Sequence, residues 1–344
     1  MNPSAFFTVT DLDRTYYREN LEKRLPKKIL DAHFHLALAE HVASIPQSTV
    51  EKSWAYQMPN EMSIEDAINF TSVMFPGIDY QYAAMPIPQK GADIDGNNKY
   101  IASLIKTKKI SYGLYTNTPE MKAKDIEKAI TTDGYIGLKP YPDFVAPYVG
   151  AEVSIFDFLP KEHCALAERL NKCIILHLPR AGRFADENNI KELREIADEF
   201  PKLKISIAHL GRCFNLCYFE KAADLLGNDI NHFWFDISAV MNPQVLELAM
   251  KIIHPDRIFF GLDMPALIFH GSRRWTETTY QNVCREDFAW NKHIEGKEAE
   301  AKYTFFIYEQ INNVLNVMEK LGKSKKYKEG FFFDNADKFF GGCR

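Results

Sequence analysis

The sequence predicts an α/β protein whose fold is a single (β/α)8 barrel of the TIM type. Eight short apolar runs alternate with amphipathic segments along its 344 residues, as parallel strands alternate with helices. The runs are almost continuously apolar, which is typical of strands that helices cover on both faces. An open, doubly wound sheet is the alternative, because strand number is difficult to count from such a pattern.

The apolar runs are rich in Ile, Leu, Phe and Tyr, and no linker or internal repeat divides the chain between them. They span residues 28–32, 82–86, 110–115, 135–139, 173–177, 204–209, 233–237 and 257–262. A polar arm over residues 1–27 precedes them. We therefore predict one barrel domain over residues 28–344.

Capping signals and amphipathic spacing predict the helices. Asn242-Pro243 places a side-chain acceptor and then a proline ahead of a periodic apolar segment, and Thr118-Pro119-Glu120 does the same with an acidic residue added. Amphipathic spacing predicts further helices over residues 64–74, 160–170 and 189–200. These helices are expected to cover the outside of the barrel.

Two connections, residues 36–81 and 264–301, are longer than usual, and long loops that follow strands are often functional. The second begins directly after Asp263 and carries side chains able to cover an anionic ligand. These side chains are Phe269, Arg273, Arg274, Trp275, Tyr280, Arg285 and Trp290. We predict that this loop closes over the site as a lid. Packing outside the barrel or at a subunit contact is the alternative.

Composition and charge exclude several classes of protein. Hydrophobic residues make up 46% of the chain and charged residues 26%, so a large core can form. The net charge of −4 and the scattered basic residues argue against nucleic-acid binding. The sequence shows neither a secretory signal nor an apolar run that could span a bilayer, so we expect a soluble, cytoplasmic protein that does not bind membranes.

Six cysteines are scattered along the chain without the spacing of a disulfide framework, so we expect free thiols. Cys213 and Cys217 are four residues apart and could meet on one face of a helix. A second metal site there is the alternative, although no further cysteine or histidine occurs at a matching spacing.

Chemically active side chains lie at the ends of several apolar runs. They are His33, His35, Lys139, His177, His209 and Asp263. His33 and His35 are two residues apart, so both imidazoles leave the strand on the same face. Histidine is the commonest metal ligand, although each of these residues alone could equally be a hydrogen-bonded core residue. Because the carboxyl ends of barrel strands share one mouth, the six together predict a metal site.

Six segments follow one another along the chain: Asp31-Ala-His33-Phe-His35, Gly137-Leu-Lys139-Pro, Ile175-Leu-His177, Ile207-Ala-His209-Leu-Gly211, Gly261-Leu-Asp263-Met-Pro265 and residues 334–341. As an ordered set they resemble the amidohydrolase superfamily, most closely its amidohydrolase-2 branch of metal-dependent hydrolases and decarboxylases. The resemblance implies a divalent metal, usually zinc, held by His33, His35, His177 and Asp263. It places His209 beside the metal, either to polarise the substrate or to bind a second ion.

The resemblance leaves the role of Lys139 open. In relatives with two metals the lysine of the fourth strand is carboxylated and bridges both ions. In the amidohydrolase-2 branch a lysine or arginine at this position often contacts the substrate instead. One ion and two ions are therefore both compatible with the sequence, and Lys139 joins Asp263 and His209 as a predicted catalytic residue.

The expected activity is hydrolysis of an ester, lactone or amide bond in a small anionic substrate. A metal lowers the pKa of bound water and polarises a carbonyl, while Asp263 moves the proton and His209 stabilises the developing negative charge. The predicted substrate-binding residues follow strand ends or lie in the last long loop; they are Tyr141, Arg180, Arg183, Arg212, Arg274 and Trp275. Non-oxidative decarboxylation of a carboxylic acid and a non-catalytic binding barrel are the alternatives. The expected partner is a small-molecule substrate, and a homo-oligomer is left open.

Overall fold

Parallel strands form the centre of the structure, a computed structural model that describes residues 7–51, 53–146 and 151–344. Among these residues, eight parallel strands pair with one another in chain order. They are β1 (Lys28–His35), β2 (Asp79–Met85), β3 (Tyr112–Tyr115), β4 (Gly137–Leu138), β5 (Cys173–Leu176), β6 (Lys204–Ile207), β7 (Trp234–Asp236) and β8 (Ile258–Phe259). The sequential order confirms the predicted barrel. The open, doubly wound alternative is wrong, because that fold reverses its strand order.

Backbone hydrogen bonds join β1 to the segment that follows β8 and so bring the two ends of the sheet together. The N–H of His35 donates to the carbonyl of Met264 at 2.8 Å, and the N–H of Asp263 donates to the carbonyl of His33 at 2.9 Å. The closure therefore places the side chains of His33, His35 and Asp263 next to one another.

Helices surround the barrel. The longer ones are Asp11–Asn20, Ile64–Met74, Ile94–Lys106, Ala123–Asp133, Lys161–Arg169, Glu187–Glu199, Leu216–Leu226, Pro243–Ile252 and Phe306–Lys320. The shorter ones are Ala39–Val42, Gln47–Val50, Ile155–Phe158, Lys297–Glu300, Lys325–Glu329 and Asn335–Gly341, whereas the segment His209–Arg212 is a left-handed turn. The helices predicted over residues 64–74, 160–170 and 189–200 are confirmed, and Asn242 caps its helix by accepting a hydrogen bond from the N–H of Gln244.

The helix start predicted at Thr118 is wrong. The helix begins at Ala123, with Lys122 at the capping position. The carbonyl of Thr118 accepts a hydrogen bond from the N–H of Met121 at 3.2 Å, so this segment closes a turn. Thr and Pro are favoured in turns as well as at helix starts, and the local pattern does not separate the two.

The C-terminal helix Asn335–Gly341 packs against the barrel interior. Phe339 and Phe340 lie 5.5 and 6.1 Å from the ring of Phe259 on β8, measured between ring centroids. These three rings are buried together with Leu30 of β1 in one apolar cluster. The cluster fills the barrel interior with apolar side chains and leaves the carboxyl ends of the strands to carry polar groups.

The described part of the N-terminal arm, residues 7–27, is more ordered than its polar sequence suggests. It contains the helix Asp11–Asn20, which Thr10 and Asp13 cap reciprocally. Asp13 is fully buried, and its Oδ1 accepts a hydrogen bond at 2.8 Å from Thr304, which precedes the helix Phe306–Lys320. The arm is therefore attached to the barrel by a buried polar contact.

The six cysteines are free thiols, as predicted. Cys213 lies outside the helix Leu216–Leu226 that contains Cys217, so the two do not share a helix face. Among the described residues, no candidate metal group includes either of them. None of the helices in the described ranges is long and apolar enough to cross a membrane.

Candidate metal centre and active site

The candidate site is a cavity of about 320 Å³ at the carboxyl ends of the strands. Predicted residues in its wall are His33, His35, Tyr141, His177, Arg183, His209, Arg212 and Asp263. The wall also includes Ser53, Trp54, Ala55, Tyr56, Phe214, Ala239, Ala266 and Tyr280. The structure therefore brings the predicted histidines, the aspartate and two of the predicted arginines into one cavity.

Hydrogen bonds orient three of the imidazoles in the same way. The Nδ1 atom of His35 lies 2.7 Å from the carbonyl oxygen of Pro86, and that of His209 lies 3.1 Å from the carbonyl oxygen of Ser238. The Nδ1 atom of His33 lies 3.1 Å from Oδ2 of Asp236. Because Nδ1 must donate in each pair, Nε2 keeps its lone pair and is the nitrogen available to a metal.

Burial favours the neutral form of the His33 and His209 imidazoles. It lowers the pKa of His209 to about 4, although the Asp263 carboxylate acts in the opposite direction. Burial and the nearby Lys139 ammonium also lower the pKa of His33. A neutral imidazole is the form that binds a metal, so the cavity favours the ligating state of both residues.

The carboxylate of Asp263 faces the Nε2 atoms. Its Oδ1 lies 3.4 Å from Nε2 of His35 and 3.6 Å from Nε2 of His33, and its Oδ2 lies 4.0 Å from Nε2 of His209. Burial alone would raise the pKa of Asp263, but the surrounding imidazoles, with His209 first, hold that pKa well below its usual range. Asp263 is therefore an ionised acceptor at neutral pH.

These separations fit one metal ion. Donor atoms that surround a tetrahedral ion at about 2.1 Å lie about 3.4 Å from one another. Oδ1 of Asp263 lies at about this spacing from Nε2 of His35 and of His33, and the three donor atoms all lie within 4.8 Å of one another. The set of two imidazoles and one carboxylate suits zinc and related divalent metals.

His177, the fourth predicted ligand, lies close to this group but is not part of it. Among the described residues, neither of the two sets of converging donor atoms includes His177. Its ring centroid is 5.3 Å from that of His209 and 4.6 Å from that of Tyr141. Its buried Nδ1 has no hydrogen-bond partner in the described part of the chain, so it can still serve a bound group.

Asp236, which ends β7, is a functional candidate that the sequence analysis missed. It forms a second converging donor set with His33 and His209. It also accepts a hydrogen bond at 3.0 Å from the backbone N–H of His209, and Ser238 donates to it from both its N–H and its hydroxyl. Asp236 lies at the end of the seventh apolar run, so the criterion that selected Asp263 also applies to it.

Lys139 lies behind the cavity wall. It is fully buried, and its Nζ atom is 3.0 Å from Nε2 of His33. Burial lowers the pKa of Lys139 to about 8, against the opposing effects of Asp236 and Asp263. A metal bound at Nε2 of His33 must displace this hydrogen bond, and the bridging and substrate-contacting roles both stay predictions.

Two predicted arginines line the cavity without an acidic partner. Nη1 of Arg212 donates to the carbonyl of Leu178 at 2.9 Å, and the Arg183 guanidinium lies 5.2 to 5.7 Å from the ring centroids of Phe214, Tyr218 and Tyr280. Neither guanidinium has an Asp or Glu oxygen within 4.0 Å among the described residues, since no ion pair includes them. Burial and the proximity of Arg183 lower the pKa of Arg212. The cavity thus holds two uncompensated positive charges.

Other predicted substrate-binding residues lie outside the cavity wall. Arg180 pairs with Glu192 at 2.7 Å, and Arg274 pairs with Glu295 at 2.6 Å. Trp275 is packed against the apolar core and also does not line the cavity. For the two arginines the physical reason is a carboxylate that the fold brings within reach.

The loop over residues 264–301 forms an antiparallel hairpin of β9 (Gly271–Trp275) and β10 (Tyr280–Cys284). Of the side chains predicted to form a lid, Tyr280 reaches the cavity wall. Arg273 is fully buried behind it and donates from Nη1 to the carbonyl of Ala239 at 2.8 Å. The other long loop supplies Trp54 and Tyr56, so both long connections contribute to the wall.

Comparison with known proteins extends these observations. No curated protein sequence matches the chain. A solved structure of an amidohydrolase II is 14% identical and has a TM-score of 0.58, with 91% of this chain and 99% of that chain covered. The probable 2-pyrone-4,6-dicarboxylic acid hydrolase from Acinetobacter baumannii, solved with citric acid, is also 14% identical with the same coverage and has a TM-score of 0.53. Such identities show a shared fold.

A third solved structure is a dihydroxybenzoic acid decarboxylase from Polaromonas sp. JS666 that contains manganese and the inhibitor 2-nitroresorcinol. It is 16% identical, covers 93% of this chain and 98% of its own, and has a TM-score of 0.51. Proteins of the same barrel fold therefore include hydrolases and decarboxylases.

A family model gives the stronger result. The model described as amidohydrolase matches residues 30–342, a range that includes His33, His35, His177 and Asp263. The family is metal-dependent, and the donor sets of the cavity agree with that property. The resemblance seen in the sequence is confirmed: the chain belongs to the amidohydrolase family.

Proposed function

We propose that this protein is a metal-dependent hydrolase that cleaves an ester, lactone or amide bond in a small anionic substrate, with zinc as its metal. The observation that carries the proposal is the convergence of His33, His35 and Asp263 in a cavity that also holds two unpaired guanidiniums. The first group supports metal-assisted chemistry, and the second supports an anionic substrate.

In the proposed reaction, the metal ligands, Asp263 and His209 would have separate chemical roles. The metal, when bound by His33, His35 and Asp263, supplies Lewis acidity that lowers the pKa of a water and polarises a carbonyl. Asp263 is ionised and can accept a proton from the attacking water at a carboxylate oxygen. Nε2 of His209 keeps its lone pair and lies 4.0 Å from Oδ2 of Asp263, so it can take up the proton that Asp263 has accepted and, once protonated, stabilise an oxygen on which negative charge develops.

The wall that contains Arg183 and Arg212 would bind the anionic part of the substrate. Arg212 is buried and Arg183 is half-buried, and both donate to backbone carbonyls without an acidic partner. A carboxylate or phosphate on the substrate supplies that partner through paired hydrogen bonds. The rings of Phe214 and Tyr280 lie beside Arg183 and provide flat apolar surface. A planar carboxylate-bearing substrate satisfies both features.

The test is a panel of lactones, esters, amides and aromatic carboxylates offered to the zinc-loaded protein, with products identified by mass spectrometry. The proposal expects products that have gained one water. Loss of carbon dioxide would instead assign the protein to decarboxylation. Binding without turnover, unchanged when His33 and His35 are both replaced by Ala, would assign it to a non-catalytic binding role.

A further inference from the structure

A second, smaller cavity of about 70 Å³ opens beside the metal ligands. It shares His35, Tyr56, Tyr141 and Asp263 with the main cavity, so the two compartments meet at the candidate metal centre. The side chains that line it without reaching the main cavity are Pro59, Asn60, Ile87, Pro88, Gln89 and Pro265. Arg183 and Arg212 line the main cavity and not this one, so the small compartment holds no guanidinium.

Gln89 is the polar group that makes this compartment a candidate binding site. The residue is only 7% exposed, and its side-chain Oε1 has no hydrogen-bond partner among the described residues. A buried amide oxygen without a partner is destabilising by about 1–3 kcal/mol. Oε1 exposes almost no surface in this position of the side chain, so a molecule with an O–H or N–H group in the compartment reaches it when the Gln89 amide turns toward the cavity that this residue lines.

The backbone around Gln89 is held on both sides. The N–H of Ile87 donates to Oδ1 of Asn97 at 3.0 Å, and Nδ2 of Asn97 donates to the Leu36 carbonyl at 2.8 Å. On the other side, the N–H of Lys90 donates to Oδ2 of Asp143 at 2.7 Å. The compartment is therefore preformed, which lowers the entropic cost of binding there.

Tyr56 separates the two compartments and is fixed by the same contacts. Its hydroxyl donates to Oδ1 of Asp143 at 2.9 Å, while Oδ2 of that carboxylate accepts from Lys90. Asp143 thus joins the wall between the cavities to the segment that carries Gln89. A substrate that spans the metal centre must place its two ends on different sides of this wall.

We propose that Gln89 and its compartment bind the departing fragment of the substrate, a small alcohol or amine, while the anionic part stays with Arg183 and Arg212. The inference rests on the proposed hydrolysis of an ester or amide, since ring opening of a lactone releases no separate fragment. The compartment exceeds several-fold the roughly 10–15 Å³ that one water requires, so it admits a fragment of a few heavy atoms and excludes a ring with substituents.

Every atom of the hydrolysis is accounted for when the departing fragment enters the small compartment. The oxygen of water bonds to the carbonyl carbon, and the bond from that carbon to the departing oxygen or nitrogen breaks. The proton that Asp263 takes from the water passes to the departing atom, which leaves as an alcohol or amine. Its O–H or N–H then donates to Oε1 of Gln89, whose amide nitrogen can donate in return.

The test uses acetamide as a small amide probe and the zinc-loaded protein. Gln89→Met keeps the side-chain length and removes the hydrogen bonds, and Gln244→Met makes the same change at an exposed helix position. Saturation-transfer NMR should detect acetamide on the wild type and on Gln244→Met, with affinity at least fivefold weaker for Gln89→Met at equal zinc content. No transfer to acetamide on the wild type, or equal affinity in Gln89→Met, would overturn the proposal.

A kinetic arm separates this proposal from the proposed reaction. The substrates share one acid part and differ in the leaving group. Methyl esters and primary amides, which release methanol or ammonia, should have a kcat/KM at least tenfold higher than benzyl esters and benzyl amides, which release benzyl alcohol or benzylamine. Gln89→Met should lose most of that preference. A preference for the bulky groups would overturn the proposal. If no substrate is hydrolysed, the reaction fails, and the acetamide comparison alone decides whether Gln89 binds a small polar fragment.

Discussion

Nδ1 of His33 and Oδ2 of Asp236 are 3.1 Å apart, with both side chains buried, although 203 residues separate them in the chain. The contact joins β1 to β7 and fixes the direction in which Nε2 of His33 points. A carboxylate behind a metal-binding histidine sets its tautomer and increases its basicity. The strand β7, which β8 separates from β1 in the closed barrel, thus prepares His33 to act as a ligand.

Asp236→Asn should therefore weaken metal binding at His33, His35 and Asp263 without removing any of these three ligands. The amide keeps the shape of the side chain and loses the charge, so we expect metal affinity to fall by about 10- to 100-fold. Competition with a chromogenic zinc chelator measures this. Asp229→Asn, at a surface position paired with Arg194, is the control and should bind zinc as the wild type does. Equal affinity in Asp236→Asn would show that the contact does not support the metal centre.

Arg183→Gln should raise KM for the substrate that the panel identifies. Loss of a hydrogen bond between charged groups is worth about 1.5–3 kcal/mol, which corresponds to about a 10- to 150-fold increase. The zinc content should not change, because Arg183 is not a predicted ligand. Arg180→Gln is the matched control: Arg180 pairs with Glu192, so it should lower the melting temperature and leave KM nearly unchanged. A raised KM in Arg180→Gln together with an unchanged KM in Arg183→Gln would instead assign substrate binding to Arg180.

The two sides of the β9–β10 hairpin should differ in their effect on catalysis, which the variants Tyr280→Ala and Arg274→Ala measure. Tyr280 lines the cavity and lies 4.4 Å from the guanidinium of Arg273, so its removal should raise KM by about 2- to 30-fold. Arg274 pairs with Glu295, so Arg274→Ala should leave the turnover rate nearly unchanged. A sharp loss of turnover in Arg274→Ala would instead support a lid that closes over the metal.

The buried pair of Asp13 and His270 predicts a pH-dependent contribution to stability. Nε2 of His270 lies 3.0 Å from Oδ2 of Asp13, and Nδ1 lies 2.6 Å from Oε1 of Glu286. Burial opposes ionisation of Asp13, but hydrogen bonds from His270 and Thr10 lower its pKa from 3.8 to about 2. Burial likewise opposes the charge on His270, but the two carboxylates raise its pKa above 6.5.

The pKa shifts of Asp13 and His270 define the pH range over which the pair contributes to stability. A lowered carboxyl pKa gives stability that is present above pH 3.8 and is lost as the pH falls toward 2. A raised histidine pKa gives stability that is present below pH 6.5 and is lost as the pH rises through the folded-state value. Asp13→Asn should therefore lower the melting temperature most between these two limits. Asp11→Asn, an exposed change in the same helix, should have little effect, and a constant deficit of Asp13→Asn across pH would contradict the assignment.

The fold could be predicted because its signals are local. Each of the eight strands lies within or overlaps a continuous apolar run, and the active-site residues come where those runs end. The backbone after β6 was not predictable in this way. The run at 204–209 suggested a strand that continues to His209, whereas β6 ends at Ile207, and His209, Leu210 and Arg212 have φ values of 56°, 46° and 64°. Tertiary hydrogen bonds hold these left-handed residues against their local preference.

The predicted arginines show that side-chain contacts, like the backbone after β6, cannot be predicted from the local sequence pattern. Arg180 and Arg183 follow the same strand three residues apart, yet Arg180 meets Glu192 and Arg183 meets aromatic rings. Which charge is paired depends on contacts between elements that no local pattern records. Asp236 is absent from the predicted site for a different reason: it meets the strand-end criterion but lies outside the six motif segments.

Elemental analysis of protein expressed in zinc-supplemented medium shows whether His33, His35 and Asp263 hold a divalent metal. The wild type should carry about one zinc ion per chain. The His33→Ala/His35→Ala variant should carry almost none, while an Arg274→Ala control, changed outside the cavity, should retain it. Wild-type protein that contains no metal, or a double variant that retains the full amount, would contradict the account.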